Sequence, residues 1–294
     1  MIVVLAIIRM IHFASLMVIF GGSAYLVLLR HRLQIVPRAA NGLHVAFVFS
    51  ATLALLTAIL WLCLASGQMS GDWGAAFDAS TVERAVRGTR FGTVFAIRIA
   101  GLALLLFMSA RRRLHRTEVQ VVLGALLLAS LGLTSHAAAS ADFPAGYMRA
   151  ANDAAHLLTA GFWTGGLVTL ALLTREHLNA PAKVIAPLRL FSLWGTYAVA
   201  VLVLTGVLNA MAILELWPPR LNLYRGVLVV KIALAAAMIA LAIVNRWRIA
   251  PALTRDDAAP HRLALTVAVE IALGAMVIVA AGFLGLLPPG SDAF

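Results

Sequence analysis

Three histidines carry the residue chemistry of this 294-residue chain: His12, His136 and His156. Each falls in or at the end of an apolar stretch. Neutral imidazole is a good ligand for copper, zinc or iron, and a nearby thioether shifts preference toward Cu(I). Met148 lies close to His136 and His156 in sequence, so His12, His136, His156 and Met148 form the candidate metal-ligating set. Asn152 and Asp153 precede His156 by four and three residues, which puts them on its helix face, where they are expected to orient a ligating ring. Arg9 stands one turn before His12 as Asp153 does before His156, and an ion pair between these two is expected. Arg98, Lys231 and Glu270 are charged residues inside apolar runs, where each charge costs at least ~2.5–3.5 kcal/mol on insertion scales. With Asn209 they are the candidate gating and counter-charge residues.

The elements that must position these residues follow from composition. The chain is 62% hydrophobic and 12% charged, with a mean hydropathy of +0.96. Soluble domains are about half apolar and a quarter charged, so lipid is the solvent for most of this surface. A spanning helix needs roughly 20 apolar residues. The apolar runs predict an all-α, polytopic membrane protein of eight transmembrane helices, near 2–29, 39–66, 91–110, 118–137, 150–173, 190–215, 226–247 and 263–286. No room remains for a soluble ATPase, receptor or nucleic-acid domain. Cys63 is the only cysteine, which excludes an internal disulfide and Cys-x-x-Cys metal or redox sites. The first apolar run lacks a basic leader and cleavage site and is expected to be a retained helix.

The net charge of +11 comes from 23 Lys+Arg against 12 Asp+Glu. Basic residues cluster in the linkers after spans 1, 3, 5 and 7: Arg30, Arg32, Arg38; Arg111, Arg112, Arg113, Arg116; Arg175, Lys183, Arg189; Arg246, Arg248, Arg255, Arg262. The positive-inside rule makes those linkers cytoplasmic and puts both termini on the periplasmic side. His12, His136 and His156 then share the outer half of the membrane.

The chain also repeats itself. His12, Ser15, Gly21-Gly22 and Leu26 recur at identical offsets as His156, Thr159, Gly165-Gly166 and Leu170. Leu56-Thr57 matches Leu204-Thr205, with Trp61 in the place of Asn209, and Arg98-Ile-Ala matches Lys231-Ile-Ala. The single membrane domain, 1–294, therefore reads as a 4+4 tandem repeat, with first unit 1–137 and second unit 150–286. An even number of spans per unit relates them by an axis along the membrane normal. Near that axis His12 and His156 are expected to face one another and share a ligand.

Several motifs carry a family resemblance: Arg9-x-x-His12-Phe13, Thr89-Arg90-Phe91-Gly92 with Arg98, Ser135-His136-Ala137, and Asp153-x-x-His156-Leu157. Phe162-Trp163-x-Gly165-Gly166-Leu167, Phe191-Ser192, Gly206-x-x-Asn209, Tyr224-x-Gly226 with Lys231, and Asn245-Arg246 continue it. Over essentially the whole chain the sequence resembles the copper-resistance protein D family (CopD/PcoD) of bacterial inner-membrane proteins. The resemblance implies copper homeostasis in the plasma membrane, with copper moved inward alongside a separate periplasmic copper carrier (CopC/PcoC-like). No Walker loop or phosphorylation motif is present, so a transporter-like protein driven by gradients or partners is expected rather than an enzyme. Two histidines at matched depth also suit bis-His ligation of haem b in an electron-transfer protein, with Arg98 and Lys231 on its propionates. A scaffold without chemistry of its own is the third alternative.

Overall fold

A computed structural model describes residues 2–30, 37–111, 117–134, 145–175, 182–213 and 222–287. All regular structure among them is helical: α1 (Ile2–Leu29), α2 (Pro37–Ser70), α3 (Ala79–Gly88), α4 (Arg90–Ala110), α5 (Thr117–Ala129), α6 (Ala145–Arg175), α7 (Ala182–Ile213), α8 (Leu223–Val244) and α9 (Ala259–Leu284). Short 3₁₀ turns cover Trp73–Phe77 and Gly132–Thr134, and a π-turn at Asn245–Ile249 prolongs α8. Without water in the hydrocarbon layer, backbone polar groups must pair within the segment, so long apolar runs become helices.

Among the described residues seven helices are long and apolar enough to cross a membrane: α1, α2, α4, α6, α7, α8 with its extension, and α9. The run expected at 118–137 behaves differently. Its helix, α5, has 13 residues, roughly 20 Å at 1.5 Å per residue, against about 30 Å of hydrocarbon. The interruption has a cause on α4. Arg98 Nη2 donates to the Ser130 carbonyl at 2.9 Å and Nε to Ser130 Oγ at 3.0 Å, so the arginine binds the chain where α5 ends. Gly132 follows in the 3₁₀ turn and lies against the backbone of Ala150 and Ala154, where a side chain would collide.

Helices α1 and α6 form the centre. Glycine lets them touch backbone to backbone: a Cβ on Gly21 would strike the Gly161 carbonyl, and one on Gly165 would strike the Met17 carbonyl. Small residues at such crossings allow the close approach that drives helix association in lipid. Around this axis α1, α2, α4 and α5 form a closed ring, each packed on the next. On the other side α7 packs on α6, α8 on α9 and α9 on α6, but α7 and α8 barely touch. In addition α9 packs on α1 and α5 on α6.

The first ring is sealed by aromatics. Trp61 of α2 meets Phe95 of α4 edge-on with centroids 5.0 Å apart, and Phe91 stacks near Phe95 at 4.3 Å. Below them α3 and the 3₁₀ turn pack on α2 and α4. Asp78 caps α3, accepting from Thr81 N at 3.0 Å and Ser80 Oγ at 2.6 Å. Those bonds, the one from Ser80 foremost, hold its carboxyl below the usual carboxylate range. On the other side a cavity of about 720 Å³ fills the gap left between α7 and α8.

Candidate functional site

His12 lies in the third turn of α1 with no exposed surface. Its Nδ1 sits 3.0 Å from the Ala54 carbonyl and 3.1 Å from Thr57 Oγ1, both on α2. A carbonyl can only accept, so Nδ1 carries the proton and Nε2 presents its lone pair. Nε2 is buried and has no partner.

His156 repeats the arrangement on α6. Its Nδ1 is 3.0 Å from Thr205 Oγ1 of α7. Thr205 spends its own proton on the Val201 carbonyl at 2.7 Å, so its oxygen accepts and His156 Nδ1 donates. Again Nε2 is left as the bare donor atom. The ring is half-buried, against no exposure at all for His12.

Each imidazole has a cation beside it. Arg98 is 1% exposed and acts electrostatically on His12. Its guanidinium stacks 4.2 Å over Phe95 and keeps one unpartnered buried nitrogen, Nη1. Lys231 acts in the same way on His156, and it also feels the charge of Asp153. The second pair therefore has a carboxylate close by.

Arg9 and Asn152 have other partners than those expected. Arg9 does not pair with Asp153: it donates to the Gly285 carbonyl at 2.9 Å and lies 4.8 Å from the Trp61 ring centre, because the end of α9 reaches it first. Among the described residues no hydrogen bond or ring contact joins His12 directly to His156. Each ring donates to the next helix of its own half, so their Nδ1 atoms are turned to α2 and α7. Asn152 does not orient His156 either. Its amide donates to Asn209 Oδ1 at 2.6 Å and to the Thr205 carbonyl at 3.0 Å, binding α6 to α7 next to the imidazole. The groups that hold the rings are Thr57 and Thr205. Their signal in the sequence was a matched threonine in each half.

Met148 is in the first turn of α6 and 71% exposed, so its thioether is open to solvent or a partner rather than packed. His136 lies outside the described residues. Glu270 is buried in α9 and accepts a hydrogen bond from Asn245 Nδ2 of the π-turn, while Asn245 Oδ1 accepts from Thr266 at 2.6 Å. Among the described residues no group of three or more His, Cys, Asp or Glu side chains is gathered as a metal cluster.

Seven spanning helices around a glycine crossing, with imidazoles, guanidinium and carboxylate held inside, define a multi-pass helical membrane protein with a polar interior. Residues 1–147 match the copper resistance protein D-like N-terminal domain and residues 185–284 the copper resistance protein D domain. Three curated relatives are similar along most of this chain. Inner membrane protein YebZ of Escherichia coli is 31% identical over 96% of this chain and 97% of its own length. Copper resistance protein D of Pseudomonas syringae is 29% identical over 83% of each chain, and copper transport protein CutJ of Bacillus subtilis is 28% identical over 74% of this chain and 40% of its own. The chain belongs to the copper resistance protein D family and is a multi-pass inner-membrane protein. No solved structure matches it.

Proposed function

We propose that this protein handles copper in the inner membrane, taking the ion at the periplasmic face and passing it inward through imidazole sites. The observation that carries the proposal is the shared state of His12 and His156: Nδ1 anchored as a donor and Nε2 left bare. An imidazole held by its other nitrogen is the usual preparation of a histidine metal ligand, and copper is the ion that the family's name supplies. Met148, exposed at the start of α6, and His136 receive the ion from a separate CopC-like periplasmic carrier. His156, the half-buried imidazole with a carboxylate near its cation, holds it next. His12 is the deeper counterpart. Asn152, Asn209, Arg98, Lys231 and Glu270 gate the onward step, and Arg9 braces the end of α9.

The topology proposed with it is four plus four helices, with the α5 segment as the eighth crossing and both termini periplasmic. The reciprocal contacts support it: Gly21 meets Gly161 as Gly165 meets Met17, and α1 packs on α9 as α6 packs on α5. The linker charges support the orientation.

The geometry favours copper over bis-His haem. His12 has no exposed surface, the two rings are tied into different halves, and neither large cavity is lined by them. The experiment is metal analysis and visible spectroscopy of the purified full-length protein beside His12→Ala and His156→Ala. Copper bound to the parent and lost in His156→Ala is expected. Unchanged stoichiometry in both variants defeats the site assignment, and a Soret band lost in both variants establishes the haem alternative.

A further inference from the structure

Glu270 lines two cavities that lie on opposite sides of it along α9. The first, about 720 Å³, reaches α9 at Val267 and Glu270 and opens beside Arg189, Arg246 and Trp247, at the strongly basic end of the bundle. The second, about 300 Å³, runs from Glu270 to Val279 between α1, α6 and α9, ending near Met10. One carboxylate thus stands at the junction of two spaces that together traverse most of the bundle's depth. Its Oε1 is held by Asn245, while Oε2 makes no hydrogen bond among the described residues. The holder belongs to a π-turn, an irregularity that often marks functional positions.

We propose that Glu270 is a proton-exchange site connecting the two cavities. Oε2 takes a proton from water in the basic-end cavity and releases it to water on the Met10 side, with no other bond made or broken. The charged groups facing it are few. Arg189 of α7 and Arg246 of the π-turn share the first cavity, and α1, α6 and α8 contribute no titratable side chain to the lining of either cavity. The donor set explains why the cargo is a proton: carboxylate, amide and hydroxyl oxygens are hard ligands and a poor match for copper, which prefers imidazole and thioether. The proposal stands whatever the histidines bind.

The test uses the full-length protein in metal-free phosphatidylethanolamine–phosphatidylglycerol vesicles containing a pH-sensitive dye, with a potassium diffusion potential set by valinomycin. Wild-type vesicles are expected to carry protons several-fold faster than Glu270→Gln vesicles. Dicyclohexylcarbodiimide, which adds to protonated carboxyls within membranes, is expected to place its adduct on Glu270 and to abolish the flux of the native protein. This second arm decides the matter if the glutamine variant does not fold. Flux in wild type no greater than in empty vesicles, or flux that survives the adduct, overturns the proposal.

Discussion

The two halves of this molecule hold the same device in different surroundings. In the first, His12, Thr57 and Arg98 lie inside a closed ring of four helices. In the second, the ring of His156 is half-buried, and His156, Thr205 and Lys231 belong to α6, α7 and α8, of which α7 and α8 barely touch. The difference comes down to a few side chains. Trp61 reaches from α2 to Phe95 on α4 and fills the space between them. The matching position on α7 is Asn209, which is too short to cross and bonds back to Asn152 of α6. Arg98 reaches Ser130 with two hydrogen bonds, while Lys231, a single ammonium, has no fork to do the same. Almost none of the most apolar part of α8 is covered by protein, against a third of that of α4. The helices around His12 are packed shut, and those around His156 are not.

The harshest test of that comparison is the glycine crossing on which both halves depend. Gly21→Leu and Gly165→Leu are expected to abolish the folded protein alike, and Gly21→Ala to cost about 1–3 kcal/mol by overpacking. Gly195→Ala and Gly226→Ala meet open space and are expected to be neutral or to stabilise by up to about 1 kcal/mol. Thermal unfolding followed by a thiol-reactive dye at Cys63, the single cysteine, reads every one of these variants. Equal losses at Gly21 and Gly226 would remove the crossing from its central place.

Next in size is the cost of emptying each imidazole site. His12→Ala leaves a void among Trp61, Phe13 and Arg98 and is expected to lose about 3 kcal/mol, as large core truncations do. His156→Ala, at a half-buried ring, is expected to lose about 1 kcal/mol or less by the same assay. A larger loss at His156 would reverse the assignment of closed and open halves.

The anchors give a sharper contrast. Thr57→Val leaves His12 the Ala54 carbonyl at 3.0 Å, whereas Thr205→Val takes the well-formed hydrogen bond that holds His156 and leaves only a poorer contact with the Leu202 carbonyl. Loss of such an orienting partner costs 10–100-fold in metal affinity in roughly comparable sites. Copper titration of the full-length protein is expected to show that loss for Thr205→Val and little change for Thr57→Val. The smallest effect concerns Asp78. Its carboxyl is held below its ordinary value, so the stability it lends α3 is present above the unfolded value and fades as pH falls through the folded one. The protection of the α3 amides, taken relative to the intrinsic exchange rate at each pH, is expected to fall under acid, and Asp78→Ala to remove that acid dependence.

Much of the fold was legible because each spanning helix is decided locally. Apolar runs bounded by arginines and glycines mark α1, α2, α4, α6, α7, α8 and α9 within a few residues at most ends, since lipid leaves the backbone no other way to satisfy itself. The short α5 was not legible. What ends it is a guanidinium delivered from α4, and nothing in the run 118–137 announces that. His12 and His156 were legible as polar residues within long apolar helices, but the direction of their rings was not. Ring orientation depends on which acceptor a neighbouring helix presents, and that follows from helix register and crossing angle.

Length, hydropathy, charge placement and the doubled His/Gly-Gly pattern were thus fixed by the chain alone, because each is set by residues near one another in sequence. The pairing of each imidazole with a threonine, the bond of Arg98 to Ser130, the seal of Trp61 on Phe95 and the position of Glu270 between two cavities were decided only by tertiary packing. They involve side chains from 25 to 260 positions apart, and in a molecule whose helices are apolar on nearly every face, the close fit of particular side chains selects which faces meet.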